Sequence, residues 1–230
     1  MNRITPSLTP VIHLNIRRHP SLPVPRGRET WEQAHDPAFH ARNDNVDMAL
    51  APAEVRHAAA ALELDPDLPL QVWHSDTRRN RRAALLFADV LRPRWEVEVR
   101  GVPALGEAPF LLSALVSRAA FEATDRPRPL VRDAYLAAVL ADRADAVEGG
   151  RAGVTAQVRA LQARLAALPP VNLLWLSHGL LLPFLYSTLI EGVLPESWCA
   201  ADLQAIPAFG YAEGFSLRLT SVTALIGARA

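Results

Sequence analysis

The chain has 230 residues, of which 50% are hydrophobic and 21% are charged, and its formal net charge is zero. This balance is typical of a soluble globular protein and excludes the strongly basic character that draws proteins to nucleic acid or to a membrane surface. The single Cys199 excludes an intramolecular disulfide, and the first residues lack an apolar signal-peptide core, so we expect a cytoplasmic location.

Short apolar runs predict five β-strands, and segments with helical periodicity separate most of them. The strands are predicted at 11–16, 70–74, 96–99, 172–177 and 215–219. The helices are predicted at 53–64, 78–91, 154–168 and 179–190. Because strands and helices alternate, we expect an α/β fold, a three-layer α/β/α sandwich with a mostly parallel sheet.

The stretch between Phe110 and Glu148 breaks this alternation. It is rich in Ala and Leu, has no strand candidate and is interrupted by DRPRP at 125–129. We interpret residues of about 110–150 as a helical insertion. No internal repeat or long linker divides the sequence, so we expect a single domain over residues 1–230.

The most apolar segment, residues 172–190, approaches the length that spans a bilayer. It also contains Asn172, Ser177, His178 and Pro183, which a membrane span tolerates poorly. We therefore expect a buried strand, a turn and an apolar helix in this segment, and no membrane partner.

Residues that directly follow the predicted strands are the candidates for a functional site, because ligands of open parallel sheets bind beyond the carboxyl ends of the strands. The candidates are Arg17, Arg18 and His19 after the first strand, Ser75 to Arg79 after the second, Glu107 after the third, and Ser177, His178 and Gly179 after the fourth.

These residue types suit a phosphomonoester. Guanidinium groups bind phosphate oxygens in a planar, bidentate way, and a histidine can accept a phosphoryl group. A second histidine, if protonated, can stabilise the charge of the transferring group, and a carboxylic acid can protonate the leaving oxygen and then activate water. The helix that begins near Arg78 would also aim its N-terminal N–H groups at an anion.

Five motifs occur in a fixed order along the chain. They are Arg18-His19, DMALAPAEVRHA at 47–58, SDTRRNRRAA at 75–84, LGE at 105–107 and LSHG at 176–179. In this order they resemble motifs of the histidine phosphatase superfamily, also called the phosphoglycerate mutase-like fold. The resemblance covers nearly the whole chain, with Pro20 and Glu54 standing where the family pattern has glycine.

The resemblance implies a phosphatase in which His19 accepts the phosphoryl group and Glu107 is the proton donor. It also implies that Arg18, Arg79 and His178 bind the phosphate group. Gly179 stands where the acid-phosphatase branch has an aspartic acid, which favours the branch with the glutamic acid. The expected ligand is a small phosphorylated substrate or a phosphate ion, and no metal or organic cofactor and no nucleic acid is expected.

Three alternatives remain open. Pro20 removes a backbone N–H, so the chain is alternatively a non-catalytic relative that binds a phosphorylated ligand. A phosphoglycerate mutase-type phosphotransferase is less well supported, because the Trp-Asn and Asn-Arg-Phe elements of that enzyme are missing. A serine hydrolase using Ser177 has half of the nucleophile elbow, but Trp175 replaces its first glycine.

Substrate specificity is expected to come from the 110–150 insertion and the 20–45 loop. The loop contains Arg26 and Arg28 as candidate substrate contacts, although loop arginines more often face water. His35 and His40 are too isolated in sequence to form a zinc site, which needs three or four converging ligands. Sugar phosphates, nucleotides, cofactor precursors and phosphoproteins all remain candidate substrates.

Overall fold

The computed structural model describes residues 11–23, 29–124 and 127–220. In this part of the chain, one sheet contains five strands in the order β3-β2-β4-β1-β5. The strands are β1 (Ile12–Arg18), β2 (Leu70–His74), β3 (Val97–Gly101), β4 (Val171–Ser177) and β5 (Gly214–Leu219). The first four are parallel to their neighbours, whereas β5 runs antiparallel to β1. The predicted strands are therefore confirmed, with ends that differ by one or two residues.

Helices flank the sheet and also form the predicted insertion. They are α1 (Trp31–His35), α2 (Pro37–Asn43), α3 (Ala51–Ala60), α4 (Arg78–Leu91), α5 (Leu112–Leu115), α6 (Arg118–Glu122), α7 (Pro127–Leu140), α8 (Gly150–Ala166), α9 (Leu182–Leu189) and α10 (Ala200–Ala205). Short 3-10 helices lie at Pro103–Leu105 and Pro195–Ser197. The four helices predicted from the sequence correspond to α3, α4, α8 and α9.

Strand β4 is buried along its whole length because both of its faces are covered. Side chains alternate between the two faces of a strand. Leu173 and Trp175 pack into a core with α7, α8 and α9, whereas Leu174 and Leu176 pack into a second core with α3 and α4. These two cores confirm the α/β/α sandwich.

The 110–150 insertion is helical, as predicted, and contains α5, α6 and α7. An isolated antiparallel bridge between Phe110 and Val147 joins its two ends. Tyr135, Leu136 and Val139 of α7 are buried in the core that also contains α8 and α9. The insertion is thus anchored on one face of the sheet.

Two short helices occupy part of the 20–45 segment that the sequence analysis treats as a loop. Thr30 and Gln33 form a capping box at the start of α1, and Asp36 caps α2, which has Pro37 in its first turn. These capping signals are present in the sequence. Helices of five and seven residues are too short to show apolar periodicity.

The apolar segment 172–190 is divided between β4 and α9. Among the residues that the structure describes, no helix combines the length and the apolar character needed to cross a membrane.

The start of β5 lies unusually close to β1. A Cβ atom added to Gly214 would stand 1.8 Å from the carbonyl oxygen of Ile16, so only glycine fits at this position. The preceding residues bond to the end of β1: the Arg18 N–H donates to the Glu213 carbonyl (2.8 Å) and the Ala212 N–H donates to the His19 carbonyl (3.2 Å). This contact brings the segment before β5 to the carboxyl edge of the sheet.

Candidate active site

His19 lies immediately after β1 and is only 3% exposed. Its Nδ1 is 2.8 Å from the carbonyl oxygen of Pro20. A carbonyl can only accept a hydrogen bond, so Nδ1 carries the proton and Nε2 carries the lone pair of the neutral ring. Pro20 lacks an N–H but keeps the carbonyl that fixes this tautomer, which is the form a nucleophilic histidine needs.

The loop after His19 is held by α3. The Ser21 N–H and hydroxyl both donate to the carboxylate of Glu54, at 2.8 and 2.5 Å. The Asp47 N–H donates to the carbonyl of Ser21 at 2.7 Å. Pro20 and Glu54, the two departures from the family pattern, therefore belong to the same loop contact, and Glu54 anchors the turn that Pro20 begins.

His178 follows β4 and brings a second imidazole next to the first. The ring centroids of His19 and His178 are 5.9 Å apart, with an interplanar angle of 66°. Nη2 of Arg79 lies 2.8 Å from Nδ1 of His178. Because a guanidinium only donates, Nδ1 accepts this bond and the ring is neutral in this arrangement. Positive charge at this point comes from Arg79.

The other nitrogen of His178 faces two buried polar side chains. The Ser75 hydroxyl and the Asn80 amide lie 2.8 and 2.9 Å from Nε2. Asn80 also bonds to Ser75 at 2.7 Å. Asn80 was not among the residues selected from the sequence. The imidazole of His178 is therefore held from both sides.

Arg79 is the buried member of an otherwise exposed arginine group, since Arg78, Arg81 and Arg82 face solvent. Nη1 of Arg79 bonds to Oδ1 of Asp44 at 2.9 Å, and Nη2 lies 3.6 Å from Oε1 of Glu107.

The N-terminal N–H groups of α4 are expected to point at an anion, and in the structure they bond to side chains of the protein itself. The Arg78 N–H donates to Oδ2 of Asp44 at 3.0 Å, and the Asn80 N–H donates to Oγ1 of Thr77 at 3.4 Å. Asp44, at the end of α2, is the anion that the helix binds. No motif in the sequence marks Asp44.

Arg18 is buried at the end of β1, and its guanidinium carbon lies 4.3 Å from the ring centroid of Tyr211. Its Nη1 donates to the carbonyl of Phe209 at 3.3 Å. A Cβ atom at Gly179 would lie 3.4 Å from Nε of Arg18, so the small residue after His178 allows this packing. Tyr211 also lies 5.7 Å from the ring of His19 and was missed from the sequence.

Two residues at the ends of predicted strands, Arg17 and Ser177, do not take part in this group of side chains. Arg17 faces the β5 side, where it donates to the Phe215 carbonyl at 2.8 Å and to the Ser216 hydroxyl at 3.1 Å. Burial lowers the pKa of the Arg17 guanidinium from its ordinary value. Ser177 is buried and donates to the Leu105 carbonyl at 2.8 Å. Both side chains tie structural elements together.

Glu107 follows the 3-10 helix Pro103–Leu105, which comes after the third strand, and its side chain lies near His178. Its side chain is 23% exposed, and Oε1 lies 3.5 Å from Nδ1 of His178. The side-chain amide of Gln157 donates to the carbonyls of Ala104 (2.7 Å) and Gly106, which fixes the loop. Burial raises the pKa of the nearby Tyr135 hydroxyl, and the charge of Glu107 adds to this shift.

A cavity of about 660 Å³ opens onto this group, and its lining includes Arg18, His19, Arg79 and Glu107. His178 lies directly behind Arg79 and is 1% exposed. The five residues selected from the sequence are thus brought together at one edge of the sheet. Arg26 and Arg28 lie outside the described residues. Within the described ranges, no three or more His, Cys, Asp or Glu side chains form a group that could hold a metal ion.

The fold has close counterparts among solved structures. A mycobacterial hydrolase is 23% identical with a TM-score of 0.57 (90% of this chain and 92% of that chain covered). A mycobacterial glucosyl-3-phosphoglycerate phosphatase is 21% identical with a TM-score of 0.56 (91% and 89% covered). Phosphoglycerate mutase from Bacillus anthracis is 12% identical with a TM-score of 0.56 (95% and 97% covered). No protein-family model and no curated protein sequence matches the chain.

These likenesses establish the fold. The chain has the phosphoglycerate mutase-like fold of the histidine phosphatases, as the resemblance of its motifs predicts.

Proposed function

We propose that the chain hydrolyses phosphomonoesters through a phosphohistidine at His19. The observation that carries the proposal is the 2.8 Å distance between Nδ1 of His19 and the Pro20 carbonyl oxygen, since an acceptor at this point favours the tautomer with the lone pair on Nε2. Arg18, Arg79 and Glu107 line the same cavity as His19. A nucleophile, two cations and a proton donor are the groups that phosphoryl transfer requires.

In the first step, Nε2 of His19 attacks phosphorus and the bond between phosphorus and the ester oxygen breaks. The carboxylic acid of Glu107 gives its proton to the departing oxygen, so the alcohol leaves neutral. Arg18 and Arg79 stabilise the charge on the other phosphoryl oxygens. His178 contributes by holding Arg79 through the 2.8 Å bond to Nδ1.

In the second step, the carboxylate of Glu107 takes a proton from water, and the resulting hydroxide attacks phosphorus. The bond between phosphorus and Nε2 breaks, which releases phosphate and restores the lone pair on His19. The net reaction converts ester and water into alcohol and phosphate. No metal ion and no organic cofactor takes part in this scheme, so EDTA should leave the rate unchanged.

Replacement of the nucleophile tests the proposal. His19→Ala is expected to lower kcat/KM for p-nitrophenyl phosphate on the order of 10³-fold or more, because no other group would accept the phosphoryl group. His57→Ala, a matched change at an exposed histidine of α3, is expected to keep the rate. Full activity of His19→Ala, or loss of activity in EDTA with recovery on adding metal, would contradict the mechanism.

Pro20 supports a second candidate function, a phosphate-binding protein without turnover, because the residue after the nucleophile cannot donate an N–H to the anion. This candidate predicts that phosphate or vanadate binds while no phosphomonoester is hydrolysed. A serine hydrolase predicts instead that an aryl acetate is cleaved and that Ser177→Ala abolishes this activity.

A further inference from the structure

The cavity extends from His19 well past the space that a phosphate group occupies. Its volume of about 660 Å³ lies within the range of about 300–1,000 Å³ that small-molecule sites in proteins have. Large apolar side chains dominate the wall beyond the phosphate-binding residues. They are Phe110, Leu111, Leu112, Phe121, Val131 and Phe209.

Most of this apolar wall comes from the insertion that carries α5, α6 and α7. Leu111 is 61% exposed, which makes it the most exposed of the large hydrophobic side chains in the described residues. An exposed leucine on a cavity wall loses contact with water when an apolar ligand enters, and this burial stabilises the complex.

Three of the basic side chains in the same wall, those of Arg128, Arg132 and His35, already bond to the protein backbone. Nη2 of Arg128 donates to the Phe209 carbonyl at 2.9 Å. Nη2 of Arg132 donates to the Leu203 and Ile206 carbonyls at 3.2 and 2.6 Å. The ring of His35 bonds through Nδ1 to the Trp31 carbonyl at 2.8 Å.

A sugar or another polyhydroxylated leaving group needs hydrogen-bond partners for each hydroxyl that it buries. The wall beyond the proposed phosphate-binding residues offers mainly hydrocarbon and aromatic surface, with Glu29, His40 and Ser113 as its further polar residues. We infer that the preferred substrates are phosphomonoesters of apolar alcohols, with an alkyl or aryl body seated against the insertion. This inference rests on the proposed function and specifies its substrate class.

Binding of non-hydrolysable n-alkylphosphonates tests the inference separately from turnover. Methyl-, butyl- and octylphosphonate share one head group and differ only in chain length. The dissociation constant, measured by titration calorimetry below micelle-forming concentrations, is expected to fall about threefold to fourfold per methylene. From butyl- to octylphosphonate the dissociation constant is expected to fall on the order of 100-fold.

A matched pair of variants locates the effect. Leu111→Asn is expected to weaken octylphosphonate binding about threefold or more, while the dissociation constant for inorganic phosphate stays the same. Leu50→Asn, at a leucine that is 52% exposed and outside the cavity lining, is expected to change neither value.

The outcomes separate this inference from the proposed function. A dissociation constant independent of chain length, or tighter binding of glucose 6-phosphate than of octylphosphonate, would overturn the substrate class even if p-nitrophenyl phosphate is hydrolysed. A strong dependence on chain length without hydrolysis of any phosphomonoester would support the apolar site and overturn the proposed catalysis. Failure to bind phosphate and every phosphonate would overturn both.

Discussion

Pro20 and Glu54 each replace a glycine of the family pattern, and they meet in one loop. Pro20 supplies the carbonyl that holds Nδ1 of His19, and Glu54 accepts both the N–H and the hydroxyl of Ser21. If each position were compared with the family pattern separately, each substitution would suggest a site that has lost its function. The pair instead gives the loop an anchor while the orientation of the histidine is preserved.

Substitution of Glu107 tests its proposed role as proton donor. Glu107→Gln keeps the size of the side chain but removes the transferable proton. We expect kcat/KM to fall about 10²–10⁴-fold for alkyl phosphates, whose leaving oxygen needs the proton. For p-nitrophenyl phosphate, whose leaving group is a stable anion, the loss should be below about tenfold. Steady-state kinetics with both esters measures the difference, and equal losses on both would contradict the assignment.

The five residues selected from the sequence share a property that a single sequence reveals, since each stands at or shortly beyond the end of a strand. Parallel strands end at the same edge of a sheet, so strand prediction alone brings these residues together. Asp44 and Tyr211 lack this property. They reach the site from the end of α2 and from the segment before β5, and their contacts depend on packing that no local pattern encodes. Asn80 directly follows Arg79, and only its contact with His178 in the folded chain reveals its place in the site.

Helix α4 shows how one element serves both folding and the site. Its N-terminal N–H groups bond to Asp44 and Thr77, and the same carboxylate of Asp44 holds Arg79. The favourable interaction between a carboxylate and a helix N-terminus accounts for this arrangement. Arg79 is therefore positioned before any ligand arrives.

Removal of this carboxylate tests its structural contribution. Asp44→Ala is expected to lower the free energy of unfolding by about 1–2 kcal/mol, because α4 loses an acceptor for its N–H groups and Arg79 loses a partner. Asp89→Ala, on the same helix, breaks an exposed pair with Arg92 and should cost less than about 0.5 kcal/mol. Urea unfolding in phosphate-free buffer compares the two, and equal effects would contradict the role of Asp44.

The helices and strands predicted correctly from the sequence are those whose hydrophobic pattern extends over several residues or turns. Strand β4 is a continuous apolar run because both of its faces are buried, and α4 and α8 extend over several turns. Helices α1, α2 and α10 span only one or two turns. Side-chain caps begin α1 and α2, whereas α10 has no side-chain cap. Their short lengths hide them from an analysis of periodicity.

Across the whole molecule, the residues of the candidate site come from segments far apart in sequence. His19 follows β1, Arg79 lies in the first turn of α4, Glu107 follows the third strand and His178 follows β4. These strands are neighbours in the sheet. Strands β1, β2 and β4 are buried between two helical layers, whereas β3 lies at the edge and is partly exposed. The ends of the strands are therefore fixed relative to one another only when the whole sandwich is folded.

Stabilisation by phosphate tests this dependence on the complete fold. Phosphate that binds only the folded chain raises the free energy of unfolding by about 2.7 kcal/mol when its concentration is 100 times its dissociation constant, and this raises Tm by roughly 5–10 °C. We expect Arg79→Ala to lose most of this rise, whereas Arg81→Ala, at an exposed arginine of the same helix, should retain it. Differential scanning calorimetry with and without phosphate gives both values, and equal rises in the two variants would contradict the assigned site.

The most direct test of the account is identification of the covalent intermediate. In Glu107→Gln, p-nitrophenyl phosphate should still transfer its phosphoryl group, while the second step is slowed because no carboxylate activates water. Alkaline quenching followed by peptide mass spectrometry should then find a phosphoryl group on His19. A phosphoryl group on any other residue, or turnover by this variant with no phosphorylated His19, would contradict the account.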